Sequence, residues 1–79
     1  MNFTKAIKKL QKGFKVMRTT KKDDTHIDYR YFSAIYINGQ YRLIEVCKYK
    51  SQYMACVSAH ASFMGDDIFA EDWEVCNEL

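Results

Sequence analysis

The sequence lacks several features that mark well-known protein classes. It has no proline, and no apolar run approaches the roughly 20 residues that a membrane-spanning helix needs. Its 3 cysteines show no CxxC spacing, which argues against a disulfide framework or a zinc site and favours free thiols in a reducing cytosol. No signal peptide is visible, because no apolar run follows the basic N-terminus. The sequence therefore predicts a soluble chain that has no contact with a membrane.

Catalytic motifs are also missing. His26 and His60 are the only histidines, and neither has a serine or cysteine at a spacing typical of a catalytic triad. The phosphate-binding GxxxxGK[ST] and GxGxxG loops and the metal-binding HExxH motif are absent. The acidic residues of the tail lack EF-hand spacing and are interpreted as a solvated surface. We therefore predict a protein that is not an enzyme, carries no cofactor or metal, and acts by binding.

The composition is typical of one small folded domain, residues 1–79. Apolar residues make up 48% and charged residues 28%, which argues against disorder. The net charge of +2 is too small to indicate a nucleic-acid-binding protein. Basic residues are concentrated near the N-terminus and acidic residues near the C-terminus. The two ends therefore pair within one chain, pair across subunits, or form two solvated faces.

A helix is predicted at the N-terminus. Its apolar stripe has the spacing i, i+3, i+4, i+7 and consists of Phe3, Ala6, Ile7 and Leu10. Asn2 is a suitable N-cap, and Gly13 suits the position just after the helix end, where glycine is favoured.

A strand over residues 14–20 and a β-hairpin follow the helix. Residues 27–37 alternate with the period of a strand. The dipeptide Asn38-Gly39 predicts a type I′ turn, because both of its positions need a positive φ. Residues 40–48 return as the next strand of the hairpin.

The last third of the chain is predicted to add two strands and a short helical turn. Residues 53–59 form one strand, and the other lies around residues 73–76. The helical turn starts near Gly65 and is capped by Asp66 or Asp67.

The two-residue turn fixes the register of the hairpin and with it the two faces of the sheet. Phe32 then lies opposite Glu45 on one face, and Ser33 lies opposite Ile44 on the other. Because neither face is cleanly polar, we predict that both are partly covered. The N-terminal helix covers one face, and a second subunit is the simplest cover for the other. The predicted fold is α+β, with an N-terminal helix packed on a small antiparallel sheet, in a homo-oligomer.

Arginine and tyrosine side chains on the predicted strands suggest a nucleotide ligand. Arg18, Arg30 and Arg42 lie on strands, with Tyr29 and Tyr31 close to them in the sequence. The guanidinium fork matches phosphate oxygens, and aromatic rings stack on bases. The same combination suits single-stranded nucleic acid, although the low net charge and the acidic tail count against it.

Both ends of the chain resemble the second Thoeris anti-defence family, a group of short phage proteins. The family's D-[LMI]-[LF]-A-x-D-W-x-V ending is matched by Asp67-Ile68-Phe69-Ala70-Glu71-Asp72-Trp73-Glu74-Val75. Its N-F-x-x-A-[IL] and G-x-[KR]-[VI]-x-R opening is matched by Asn2-Phe3-Thr4-Lys5-Ala6-Ile7 and Gly13-Phe14-Lys15-Val16-Met17-Arg18. The family's usual Trp-Asn-Gly-like segment after the first strand is replaced here by Lys21-Lys22-Asp23.

The resemblance implies a protein that sequesters an immune signal. Such proteins form homo-oligomers, typically tetramers, and hold the cyclic ADP-ribose-type signal of bacterial Thoeris TIR proteins without cleaving it. Some relatives are thought to bind cyclic dinucleotides or trinucleotides of a second immune system, CBASS. The expected location is the cytoplasm of the infected bacterial host. Two alternatives stay open: a protein–protein inhibitor of a host factor and a small single-strand nucleic-acid binder.

Under this resemblance, five residues receive specific roles toward the signal. Arg18 and Arg42 are expected to hold phosphate, and Tyr29 or Tyr31 to stack on a base. Asp72, which has no obvious structural role in the sequence, is expected to accept a hydrogen bond from a ribose hydroxyl.

Asp67 and Trp73 complete the predicted ligand-binding set. The tail also has a structural interpretation, because Phe69 and Trp73 are four residues apart and so predicted to share a helical face in the core. In that interpretation Asp67 is a helix N-cap.

Overall fold

The computed structural model of the chain describes residues 1–19 and 26–77, so Lys21-Lys22-Asp23, which replaces the family's Trp-Asn-Gly-like segment, lies outside it. The elements are, in chain order, α1 (Phe3–Gln11), β1 (Val16–Arg18), β2 (Ile27–Ile37), β3 (Gln40–Tyr49), β4 (Cys56–Ser58), α2 (Gly65–Phe69) and β5 (Trp73–Val75). Within the described residues, no helix has the length and apolar character to cross a bilayer. The α+β class and the N-terminal helix are confirmed.

Helix α1 begins and ends where its capping residues predict. The side chain of Asn2 accepts a hydrogen bond from the backbone N–H of Lys5 at 2.9 Å. Gly13 has a φ of 91°, and it and Phe14 donate their backbone N–H groups to carbonyls of the last turn at 3.0 Å. These two bonds form a Schellman motif. Because the amide of Phe14 closes the helix, the first strand starts at Val16 and is shorter than the predicted residues 14–20.

All strand pairs are antiparallel, in the order β4-β3-β2-β1-β5. The hairpin has the predicted register, with Phe32 opposite Glu45. Asn38 and Gly39 have φ values of 52° and 79°, as a type I′ turn requires. The strand predicted over residues 53–59 is present as the three residues of β4 at the sheet edge.

The hydrophobic core lies between α1 and one face of the sheet. Its buried residues are Ala6, Leu10, Val16, Phe32 and Trp73. Phe63, from the segment before α2, packs its ring 4.7 Å from that of Phe32. A core of this size, with one buried tryptophan, gives a small domain only modest stability. A single core contact is therefore a large part of the free energy of unfolding.

Two predictions for the tail are wrong. Phe69 is 86% exposed instead of buried. Helix α2 ends at this residue and Ala70 is extended, so the helical spacing does not continue to Trp73. The N-cap of α2 is Met64, and Asp67 caps the helix from its third position by accepting the Met64 N–H at 2.9 Å.

The sheet face opposite α1, called the open face below, has no helix packed against it among the described elements. Because Phe32 points to the core, its neighbours Tyr31 and Ser33 point to the open face. The pairing of β2 with β3 places Ile44 and Val46 beside them. The prediction that a second subunit covers this face stays a prediction.

Candidate ligand-binding site

Arg18 joins the end of β1 to the segment around α2. Its Nε donates to Oδ1 of Asp72 at 2.6 Å, and its Nη1 donates to Oδ1 of Asp67 at 2.9 Å. Nη1 also lies 3.3 Å from the backbone carbonyl of Asp66. We call Arg18, Asp67 and Asp72 the Arg18 cluster. It brings together three of the residues predicted from the sequence.

The Arg18 cluster is largely hidden from solvent. The exposed side-chain fractions are 12% for Arg18, 1% for Asp67 and 19% for Asp72. Burial by itself lowers the pKa of Arg18, but the hydrogen bonds and charges of Asp72 and Asp67 outweigh it and leave that pKa raised.

Trp73 and Asp72 further attach the tail to the sheet. The Trp73 indole N–H donates to the backbone carbonyl of Asp67 at 2.9 Å, while its ring is 1% exposed in the core. The backbone carbonyl of Asp72 accepts from both the N–H and the hydroxyl of Thr19 at 3.2 Å. The tail motif therefore has a structural role, and through Arg18 the basic and acidic ends of the chain meet within one molecule.

A second group of predicted residues lies on the open face. The rings of Tyr29 and Tyr31 are stacked with centroids 6.1 Å apart and planes at 20°. The Lys15 ammonium lies 5.0 Å from the centroid of the Tyr31 ring, within cation–π range. Lys48 is the register partner of Tyr29 on β3. We call Tyr29, Tyr31 and Lys15 the tyrosine platform.

Arg42 belongs to neither group. It lies on the open face, opposite Ile35 and near the hairpin turn. Val46, the register partner of Tyr31, lies four positions further along β3, which is about 13 Å along a strand. Within one chain, the structure therefore separates the predicted set into the Arg18 cluster with Trp73, the tyrosine platform, and Arg42.

The described surface also has an apolar recess of about 260 Å³ between α1 and the hairpin. It is lined by Ile7, Leu10, Gln11, Ala34, Tyr41 and Leu43. Its lining lacks a charged side chain, so it suits an apolar group better than an anionic nucleotide. Within residues 1–19 and 26–77, there is also no group of three or more His, Cys, Asp or Glu side chains that could hold a metal ion.

Sequence reasoning missed two features of these surfaces. Lys15 was counted only among the basic residues near the N-terminus, although its alternation with buried Val16 indicates that it points to the open face. The exposure of Phe69 was missed because the end of α2 has no glycine or proline to signal it.

Comparison with known proteins bears directly on the resemblance at the two ends. The family model of the Thoeris anti-defense 2-like domain matches residues 1–76. No curated protein and no solved structure matches the chain. The family match covers nearly the whole sequence, including both ends and all described strands. The chain therefore belongs to the Thoeris anti-defence 2-like family.

Proposed function

We propose that this protein sequesters a cyclic nucleotide immune signal in the cytoplasm of an infected bacterium and releases it uncleaved. The observation that carries the proposal is the tyrosine platform, an aromatic stack with an ammonium group above it on the open face. A base stacks on such rings, and a phosphate pairs with such a cation. Membership of an anti-defence family supports the same function.

The known partners of Arg18 guide our assignment of the phosphate. Arg18 already donates its Nε to Asp72 and its Nη1 to Asp67, so a phosphate there would compete with two carboxylates. The open face carries the cations Lys15, Arg42 and Lys48. Lys48 also bonds the exposed carboxylate of Asp28 at 3.2 Å. We therefore assign phosphate binding to the open face and assign Arg18 to holding the tail.

The proposed binding unit is a homo-oligomer. The open face carries the partly exposed side chains of Tyr31 and Ile44, which no described helix covers, and partly exposed apolar and aromatic side chains of this kind are typical of protein interfaces. A second copy on this face would shield the bound signal from water. In such an oligomer, Arg42 and the partly exposed Asp72 need not belong to the same copy as the platform that they serve, which would reconcile the predicted set with their separation in one chain.

The affinity required is within reach of such a site. A nanomolar dissociation constant corresponds to about −12 kcal/mol. Stacking on an aromatic ring contributes about 1–3 kcal/mol per base. Hydrogen bonds to charged groups add about 1.5–3 kcal/mol each. Two stacked bases and a few charged contacts therefore account for most of the binding free energy.

Calorimetry with cyclic ADP-ribose isomers and cyclic dinucleotides tests the site. Tyr31→Leu and Lys15→Met are each expected to weaken binding about tenfold or more. Tyr36→Leu is the matched control, because Tyr36 belongs to the other tyrosine pair, with Tyr41, on the opposite side of the sheet. The Tyr36→Leu variant should bind each ligand with the affinity of the wild type.

Three further results test the proposal. Heating the complex should release the signal with its mass unchanged, whereas recovery of a hydrolysed product would identify an enzyme. The Asp72→Asn variant is first checked for an unchanged fold by its melting curve. Weaker binding by this variant would support a contact between Asp72 and the ribose. Equal affinity of the wild type, Tyr31→Leu and Lys15→Met for every ligand would exclude the tyrosine platform as the site.

A further inference from the structure

Cys47 and Cys56 face each other across two neighbouring strands. They are register partners in the antiparallel pair β3 and β4, and both are free thiols. Opposed residues in such a pair have Cα atoms about 4.5 or 5.5 Å apart. Disulfides span Cα distances of about 4.4–6.8 Å. Opposed side chains also point to the same face of a sheet. The backbone therefore already satisfies the geometric condition for a bond between these sulfurs.

Strand β4 is free to make the small adjustment that remains. Opposed Cβ atoms lie about 4.5–5.5 Å apart, whereas a disulfide needs about 3.5–4.5 Å. β4 is an edge strand of three exposed residues, paired to the sheet only through β3. The Cys56 thiol is exposed and is held by one weak hydrogen bond to the Gln52 side chain at 3.4 Å. An approach of about 1 Å at this edge disturbs few contacts.

We propose that Cys47 and Cys56 form a reversible disulfide by exchange with a small-molecule disulfide such as oxidised glutathione. The Cys56 thiolate attacks one sulfur of oxidised glutathione, which forms a mixed disulfide and releases one glutathione thiolate. The Cys47 thiolate then attacks the sulfur of Cys56 and releases the second glutathione. The two protein thiols lose two protons and two electrons in total, and one glutathione disulfide becomes two glutathione molecules. Exposed and slightly strained disulfides are the readily reduced ones, so the bridge reopens under reducing conditions.

Cys76 is excluded from this exchange. Its side chain is buried, and burial raises the pKa of its thiol to about 11 despite the nearby charge of Lys15. Only the thiolate reacts with a disulfide. Cys76 therefore serves as an internal reference that stays reduced while the other two thiols pair.

Titration of the native protein with oxidised and reduced glutathione tests the proposal. The wild type should lose the mass of two hydrogens, peptide mapping should join Cys47 to Cys56, and dithiothreitol should reverse both changes. Cys76→Ser should behave in the same way. Cys47→Ser should instead stop at one glutathione adduct on Cys56.

Two results would overturn the bridge. One is a wild-type protein that stops at a glutathione adduct on Cys56, which would mean that the strands cannot close. The other is a dimer linked through Cys56, which would mean that the exposed thiol reacts only between molecules. Neither result depends on binding of a cyclic nucleotide, so the proposal stands or fails separately from the proposed function.

Discussion

The carboxylate of Asp67 is almost completely buried and is paired with Arg18. Replacing Arg18 by methionine keeps much of the aliphatic stem but removes the guanidinium group that pairs with this buried carboxylate. We expect the free energy of unfolding to fall by about 3–5 kcal/mol, as measured by urea denaturation.

Arg30→Met is the matched control for this prediction. Arg30 is also a strand arginine paired with a carboxylate, but its side chain and that of Glu45 are 27% and 19% exposed. A partly solvated pair is worth about 1 kcal/mol or less. Equal losses for Arg18→Met and Arg30→Met would contradict the structural role of the Arg18 cluster.

Cys76 gives the stability a dependence on alkaline pH. Burial raises the pKa of its thiol to about 11 in the folded protein, from an ordinary value of 9.0. Above pH 9 the unfolded chain loses this proton while the folded chain keeps it, so the contribution of Cys76 to stability falls as pH rises toward 11.

Cys76→Ala removes this contribution. Between pH 9 and pH 11, the free energy of unfolding of the wild type should therefore fall more steeply than that of the variant, when both are measured with a reductant present. Parallel pH profiles would show that Cys76 is not the responsible group.

Among the elements, the end of helix α1 depends on a single backbone conformation. Gly13 has a φ of 91° and closes the helix, yet a Cβ atom there would meet no neighbour. Gly13→Ala therefore tests conformation without steric clash, and we expect a loss of about 1–2 kcal/mol in thermal denaturation. Gly65→Ala is the control, since Gly65 also has open space around it but has no positive φ. A similar loss in both variants would argue against the capping role of Gly13.

The elements that could be predicted from the sequence are those set by local signals. Helix α1 has an apolar stripe and two capping residues, and the hairpin has a turn that fixes its register. The exact lengths of β1 and β4 could not be predicted, because β1 pairs with the distant β5 and β4 is an edge strand with a single neighbour. The exposure of Phe69 depends on where α2 ends, and no breaker residue in the sequence marks that point.

The candidate site also combines features with a local sequence signal and features that depend on distant parts of the chain. The tail motif pointed to Asp67 and Asp72, but their pairing with Arg18 joins residues about 50 positions apart and has no local signature. The tyrosine alternation on β2 was visible in the sequence, whereas the position of Lys15 beside it depends on the pairing of β1 with β2. Which predicted residues share a site is therefore decided by long-range strand order.

At the scale of the whole molecule, the open face is expected to form the contact between subunits. Ile44→Lys places a charge at the centre of this face, opposite Ser33. We expect light scattering at micromolar concentration to show an oligomer for the wild type and a folded monomer for the variant.

Tyr36→Lys supplies the control for this experiment, because Tyr36 is an exposed apolar residue on the other face. It should keep the mass of the wild type. A monomeric wild type would contradict the proposed oligomer. If the Ile44→Lys variant stays oligomeric, the contact between subunits lies elsewhere.

The position of β1 between β2 and β5 also sets a limit on when the protein can fold. The hairpin of β2 and β3 is local and is expected to form first, because contacts between residues close in sequence form fastest. Helix α1 and β1 precede it in the chain, but they cannot complete the core until Trp73 has been synthesised. During translation the apolar stripe of α1 therefore remains without its full packing partner until Trp73, near the far end of the chain, has been synthesised.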